Sequence, residues 1–215
     1  MSRSPVSTSL PPAVNKSNRA VFTPSIRSVL TLLPAGLLAL LGACGQNSEP
    51  EAVADSIIAN QAPDVEWSKH GLTDAEDRFS PLAQINVNNV SQLGLDWYYD
   101  YPTARGKEAT PLVVGGVIYT TGSWSNVFAH DARTGELLWY YDPEVPRTWA
   151  VHLCCDVVNR GVAYADGRLF FGTLDERLVS LDATKGEQLW QVQTTDTSKP
   201  NSNTGAPRLV KDKML

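Results

Sequence analysis

Two cysteines stand side by side, Cys154 and Cys155. Across a trans peptide their Cα atoms lie about 3.8 Å apart, below the roughly 4.4–6.8 Å that disulfides usually span, so joining them would close a strained eight-membered ring. Strain of that kind tends to mark function, and such a ring would offer a compact sulfur surface to a planar ligand. Two free thiols or a pair of metal ligands are the other readings of the dipeptide. The metal reading is poor, because there is no second cysteine cluster and His70, His130 and His152 are not at ligand spacing. Five residues beyond Cys155 stands Arg160, a planar fork of donors suited to paired oxygens, or else a surface ion pair with Asp156. Glu108, beside Lys107, and Thr204 add an acid and a neutral hydroxyl; taken alone, Glu108 also reads as a surface acid in a loop.

The elements that must carry these residues are visible as a repeat. Asp131-Ala132-Arg133-Thr134-Gly135-Glu136-Leu137-Leu138-Trp139 returns as Asp182-Ala183-Thr184-Lys185-Gly186-Glu187-Gln188-Leu189-Trp190, with matched positions 51 residues apart. Upstream, Gly115-Gly116-Val117-Ile118-Tyr119 lies over Asp166-Gly167-Arg168-Leu169-Phe170 at the same offset, and a third copy begins at Ala206 and stops at Leu215. Pro111 to Val114 and Val117 to Thr121 flank a Gly-Gly turn, and Val162 to Ala165 and Arg168 to Gly172 flank Asp166-Gly167, both strong hairpin patterns. Alternating runs over Val127 to Asp131 and Leu178 to Asp182 supply a third strand, and those through Trp139 and Trp190 a fourth. Each repeat is a four-stranded meander, and meanders recurring at this spacing predict an all-β propeller. Trp139 and Trp190 are expected to pack between blades, where a large ring covers the gap between two sheets. A propeller closes with four to eight blades, and residues 67–215 encode only about two to three, so an incomplete propeller is expected.

The first 43 residues differ in kind. Arg3, Lys16, Arg19 and Arg27 precede the apolar run Val29 to Leu41, and no acid appears before Glu49, the profile of an export signal. The run contains Pro34 and is shorter than the roughly 20 residues of a spanning helix. Leu41-Gly42-Ala43-Cys44 resembles a bacterial lipobox, which would make Cys44 a lipidation site and membrane anchor; an ordinary signal peptide cut nearby is the alternative. Residues 44–66 read as a flexible tether. Export would place Cys154 and Cys155 in an oxidising compartment. A net charge of -5, with no basic run after the first thirty residues, excludes a nucleic-acid footprint.

From Trp67 to Leu215 the chain resembles the pyrroloquinoline quinone-dependent alcohol dehydrogenases of the bacterial periplasm, the quinoprotein methanol and ethanol dehydrogenase family. The likeness rests on ordered motifs: Trp67 to Gly71 followed by Glu76-Asp77-Arg78-Phe79-Ser80-Pro81-Leu82; Gly106-Lys107-Glu108-Ala109-Thr110-Pro111; Cys154-Cys155-Asp156-Val157-Val158-Asn159-Arg160-Gly161; and Thr204-Gly205-Ala206-Pro207-Arg208. The resemblance implies an eight-bladed propeller with tryptophan-docking blades. It implies a quinone site using Glu108, Arg160, Thr204 and a Cys154–Cys155 disulfide ring, and calcium as a second cofactor. The implied reaction is alcohol to aldehyde, with electrons passed to a c-type cytochrome or another acceptor. The calcium ligands and the catalytic aspartate of the family would lie beyond Leu215, so the chain by itself is expected to be inactive, and no haem-attachment motif is present. The rival reading is a cofactor-free propeller lipoprotein serving as an outer-membrane assembly scaffold. It uses the blades and Cys44 but gives Cys154, Cys155, Arg160 and Thr204 no task. A sugar dehydrogenase using the same quinone accounts for the propeller and less naturally for the cysteine pair.

Overall fold

A computed structural model of the chain describes the backbone of Asn15–Lys16 and residues 66–215. Apart from Asn15–Lys16, the export segment lies outside the described residues, as do Cys44 and the tether up to residue 65. Among the described residues no helix is long and apolar enough to cross a membrane.

The first blade consists of β3 (Leu112–Val114), β4 (Val117–Thr121), β5 (Val127–Asp131) and β6 (Leu137–Tyr141), and the second of β7 (Ala163–Ala165), β8 (Arg168–Gly172), β9 (Arg177–Asp182) and β10 (Gln188–Gln193). In each, sequential strands pair antiparallel with their chain neighbours. A short pair, β1 (Asn15–Lys16) with β2 (Trp97–Tyr98), precedes the blades, and a hairpin of β11 (Leu209–Val210) and β12 (Lys213–Met214) follows them. The strand limits agree with the 51-residue offset because the turns that set them are chemically equivalent. Gly115 and Gly116 turn the first hairpin at φ 57° and 77°, and Asp166 and Gly167 turn the second at 48° and 73°. Both central residues at positive φ is the geometry that matches the twist of paired strands.

The second shared turn joins the third and fourth strands. Asp131 accepts the N–H groups of Arg133 (3.0 Å) and Thr134 (2.7 Å) with its carboxylate, and Asp182 accepts those of Thr184 (2.8 Å) and Lys185 (2.9 Å). This side-chain mimic of a backbone turn is why aspartate opens both copies. After each turn the register slips by one residue immediately before the tryptophan.

Tryptophans then link successive units. Trp139 Nε1 donates to the Ala183 carbonyl (3.0 Å), and a Cβ on Gly186 would lie 2.5 Å from its ring. Trp97 repeats this one unit earlier, with Nε1 on the Ala132 carbonyl (3.2 Å) and its ring over Gly135. Both glycines have φ above 70°, so close approach and backbone conformation each require glycine there. Docking of Trp139 is as the repeat predicts; that of Trp97 was legible in Leu95-Asp96-Trp97, which parallels Leu137-Leu138-Trp139, but its unit lacks the aspartate turn. Trp190 packs against Phe170 and is 39% exposed.

Between the blades lies the apolar core. Leu112, Tyr119, Val127 and Ala129 of the first blade meet Leu169, Phe171, Val179 and Leu181 of the second, all buried. Each fully buried side chain of this size contributes about 1.5–3 kcal/mol, so this contact dominates the rigidity of the two-blade unit.

Candidate cofactor site

The expected site residues sit not in the strands but in the segments that lead into each innermost strand: Glu108 before β3, Arg160 before β7 and Thr204 before β11. These segments are tied side by side. Thr110 N–H donates to the Arg160 carbonyl (3.2 Å), and Arg160 N–H donates to the Thr204 carbonyl (3.0 Å). Successive repeats therefore deliver their leading segments to one place, although 44 residues separate Arg160 from Thr204.

Arg160 stands at the centre. Its Nη2 lies 2.8 Å from Glu108 Oε2, and its Nη1 donates to the Thr204 hydroxyl. The Arg160 and Glu108 side chains are 40% and 44% exposed, so the pair faces solvent. The alternative of a surface pair between Arg160 and Asp156 is not formed: Asp156 instead binds Arg105 at 2.7 Å. Asp156 takes φ 71°, a turn conformation that short polar side chains tolerate, and this directs its carboxylate towards Arg105 and leaves Arg160 to Glu108. Nor is Glu108 a loop acid partnered with Lys107. Lys107 turns the other way and places Nζ 4.3 Å above the Tyr101 ring.

Cys154 and Cys155 are both exposed and stand as free thiols with their Sγ atoms 2.6 Å apart. The Cys155 thiol is pushed above its ordinary value, first by its hydrogen bond to Cys154 and then by the charge on that neighbour; Arg160 opposes the shift and Glu108 adds to it. The pair is thus in electrostatic reach of the Arg160–Glu108 couple. It is carried by a short 3-10 segment, Arg147–His152, anchored by Trp149 Nε1 to the Asn201 carbonyl (3.1 Å) and by packing of Trp149 and Leu153 against Val145, Val157 and Leu174. Arg147 lies 4.1 Å over the Trp124 ring on the same side. Sequence reading passed over Trp149 and Asn201, since neither belongs to the repeat.

The donor set can be tested against a planar anionic quinone. Arg160 carries five N–H groups; one donates to the Thr204 hydroxyl while Nη2 is ion-paired with Glu108, so the guanidinium keeps further donors for a ligand. Glu108 is neutralised by its partner, which removes the repulsion that an isolated carboxylate would exert on a carboxylate-bearing ligand. These residues fit such a group. Calcium is different: among the described residues no group of three or more His, Cys, Asp and Glu side chains is placed to hold a metal ion.

Comparison with known proteins gives the same direction. Residues 67–206 match the family described as PQQ, glucose/ethanol/alcohol dehydrogenase, β-propeller domain. A quinohemoprotein alcohol dehydrogenase of Pseudomonas putida is 54% identical over 160 residues, 74% of this chain and 23% of the relative. A 1-butanol dehydrogenase (cytochrome c) of Thauera butanivorans is 54% identical over 151 residues, 70% of this chain and 22% of the relative. Among solved structures, the quinohemoprotein alcohol dehydrogenase of Comamonas testosteroni superposes with a TM-score of 0.68 at 46% identity, covering 74% of this chain and 24% of that one. The chain spans about a quarter of the length of the curated relatives it matches.

Proposed function

Because the chain belongs to the PQQ β-propeller family of glucose, ethanol and alcohol dehydrogenases, we propose that it forms one side of a pyrroloquinoline quinone site in an enzyme that oxidises alcohols to aldehydes and passes electrons to a cytochrome or similar acceptor. The observation that carries this reading is Arg160, held between Glu108 and Thr204 beside an exposed cysteine pair. When bound, the quinone supplies a two-electron acceptor for alcohol oxidation.

The chain's own residues hold and orient. The planar guanidinium of Arg160 directs its free N–H groups at a carboxylate or carbonyl oxygen of the ligand. Its planar fork is held in one orientation by Glu108 and Thr204, so little side-chain freedom is lost on binding. Oxidation of the adjacent Cys154 and Cys155 thiols to a disulfide, with the oxidising compartment taking up the two electrons, would present a flat sulfur surface to one face of the ligand. We place calcium in the same enzyme without assigning it ligands from these residues. Export through residues 1–43 to the periplasm, with Cys44 as a lipid anchor, belongs to the same proposal. A cofactor-free scaffold would leave Arg160, Thr204 and the cysteine pair without a task.

Titrating the chain with pyrroloquinoline quinone while following tryptophan fluorescence tests the reading. Saturable quenching is expected, weakened at least tenfold by Arg160→Ala. Quenching that is unsaturable, or equal in the two proteins, would sink the site.

A further inference from the structure

Asn159, next to Arg160, is 1% exposed and commits its side chain to three hydrogen bonds. Its Oδ1 accepts Gly161 N–H (3.0 Å), closing a turn that straddles Arg160. Its Nδ2 donates to the Gly172 carbonyl of β8 (2.8 Å) and to Ser125 Oγ (3.2 Å). Its backbone carbonyl accepts the Thr121 hydroxyl (3.1 Å) at the end of β4. The turn is tight: Gly161 takes φ 131°, and a Cβ there would lie 3.1 Å from the Thr110 carbonyl oxygen.

Ser125 is fully buried and belongs to the turn between β4 and β5. Its Oγ also accepts Leu174 N–H (3.2 Å). Both Trp124 (φ 64°) and Ser125 (φ 60°) adopt the left-handed conformation, which is costly for residues with side chains and persists only where surrounding contacts impose it. One such contact is the bond from Trp124 N–H to the Val157 carbonyl (2.8 Å), three residues before Arg160. Strain in the first blade is therefore coupled to the backbone that carries the site arginine in the second.

We propose that Asn159 and Ser125 are positioning residues for Arg160: together they fix the direction in which its guanidinium leaves the backbone, and through it the affinity for the quinone. The inference rests on the proposed quinone site. Plain interblade adhesion would need bonds between the blades; it would not need the Oδ1 bond that closes around Arg160 itself.

Two measurements test this. In the absence of quinone, NMR of guanidinium-labelled chain should show Arg160 held against Glu108 and Thr204, and Asn159→Ala should release it. Persistence of both contacts in Asn159→Ala would overturn the proposal. With quinone, Asn159→Ala should raise the dissociation constant about 10- to 100-fold, the range seen for outer-shell partners of metal ligands, which orient a binding residue in the same way, but less than about twofold in an Arg160→Ala background. Equal losses in both backgrounds would mean that Asn159 acts independently of Arg160 and would overturn it as well. Ser125→Ala, which leaves the Asn159 bonds to Gly161 and Gly172, is carried through both measurements should Asn159→Ala fail to fold, with the same directions expected and the same results overturning it. If the parent chain does not bind the quinone, the proposed function fails, and the NMR measurement still decides the role of Asn159.

Discussion

The two faces of the first blade are built by the same strands and covered by different neighbours. Its forward face meets the second blade, which contributes Leu169, Phe171, Val179 and Leu181, all fully buried. At the corresponding 51-residue positions of its own back face stand Ile118, Thr120, Phe128 and His130, covered by Trp97, Tyr99 and Tyr101. The forward contact is mainly aliphatic, with the rings of Tyr119 and Phe171 among its members and the Trp139 indole N–H bonded to the Ala183 carbonyl. On the back face His130 Nδ1 donates to the Gly135 carbonyl (3.2 Å), and among the described residues the buried Nε2 of His130 and hydroxyl of Tyr99 have no partner. A cavity of about 530 Å³ opens there between Trp67, Trp97, Tyr101, Pro111, Ile118 and His130. The strand pattern specifies a blade, while the identity of the neighbour decides whether its face is mainly aliphatic or mainly aromatic with polar groups.

That contrast can be broken most strongly at the docking tryptophans. Trp139→Ala should cost about 3–5 kcal/mol in urea unfolding, as for large aromatics removed from a core. Trp190→Ala, at a side chain 39% exposed, should cost less than about 1 kcal/mol. Equal losses would mean that the tryptophan stabilises its own blade and not the junction.

Gly186→Ala comes next. It places a Cβ 2.5 Å from the Trp139 ring at a backbone φ of 71°. The left-handed conformation costs about 1–2 kcal/mol and overpacking about 1–3 more, so a loss of about 2–4 kcal/mol is expected from the urea midpoint.

A smaller, pH-dependent effect is expected at His130. Burial holds its pKa below the ordinary value, with the Gly135 bond opposing weakly. The unfolded chain, with His near 6.5, then binds more protons than the folded one. Stability is therefore complete above about pH 6.5 and declines as pH falls below it. His130→Leu, the residue that Leu181 presents in the second blade, should abolish this decline and add up to about 1 kcal/mol at pH 5.5. An unchanged slope of unfolding free energy against pH would show that His130 is not the titrating group.

The least effect belongs to Asp156→Asn, which removes the exposed pair with Arg105. Surface pairs contribute roughly 0–1 kcal/mol, and asparagine tolerates φ 71° as aspartate does. Quinone affinity should change less than about twofold, because Arg160 uses Glu108 and Thr204; a tenfold loss in the fluorescence titration would reinstate Asp156 as its partner.

Much of this was legible before any coordinates. Hairpin turns at Gly115-Gly116 and Asp166-Gly167 and the aspartate turns at Asp131 and Asp182 are local chemistry, so the strands fall where the repeat places them. Glu108, Arg160 and Thr204 were found through ordered family motifs, since residues in loops carry no periodicity to betray them. Asn159 was overlooked although it lies inside a quoted motif, because a buried amide bridging two blades looks, in sequence, like any polar residue beside an arginine.

By itself the sequence determined the blade period and the four-strand meander, because hydrogen-bonded turns and alternating strands are encoded within a few residues. Only the tertiary structure decided that Arg160 pairs with Glu108 and Thr204 in preference to Asp156, that Lys107 turns away, and that Asn159, beside Arg160 in the chain, bonds to Ser125 of the other blade. The Arg160–Glu108, Arg160–Thr204 and Asn159–Ser125 contacts join residues 34 to 52 positions apart. Their choice depends on which leading segments the docked blades bring side by side, and that is settled by packing across the blades and not by any spacing along the chain.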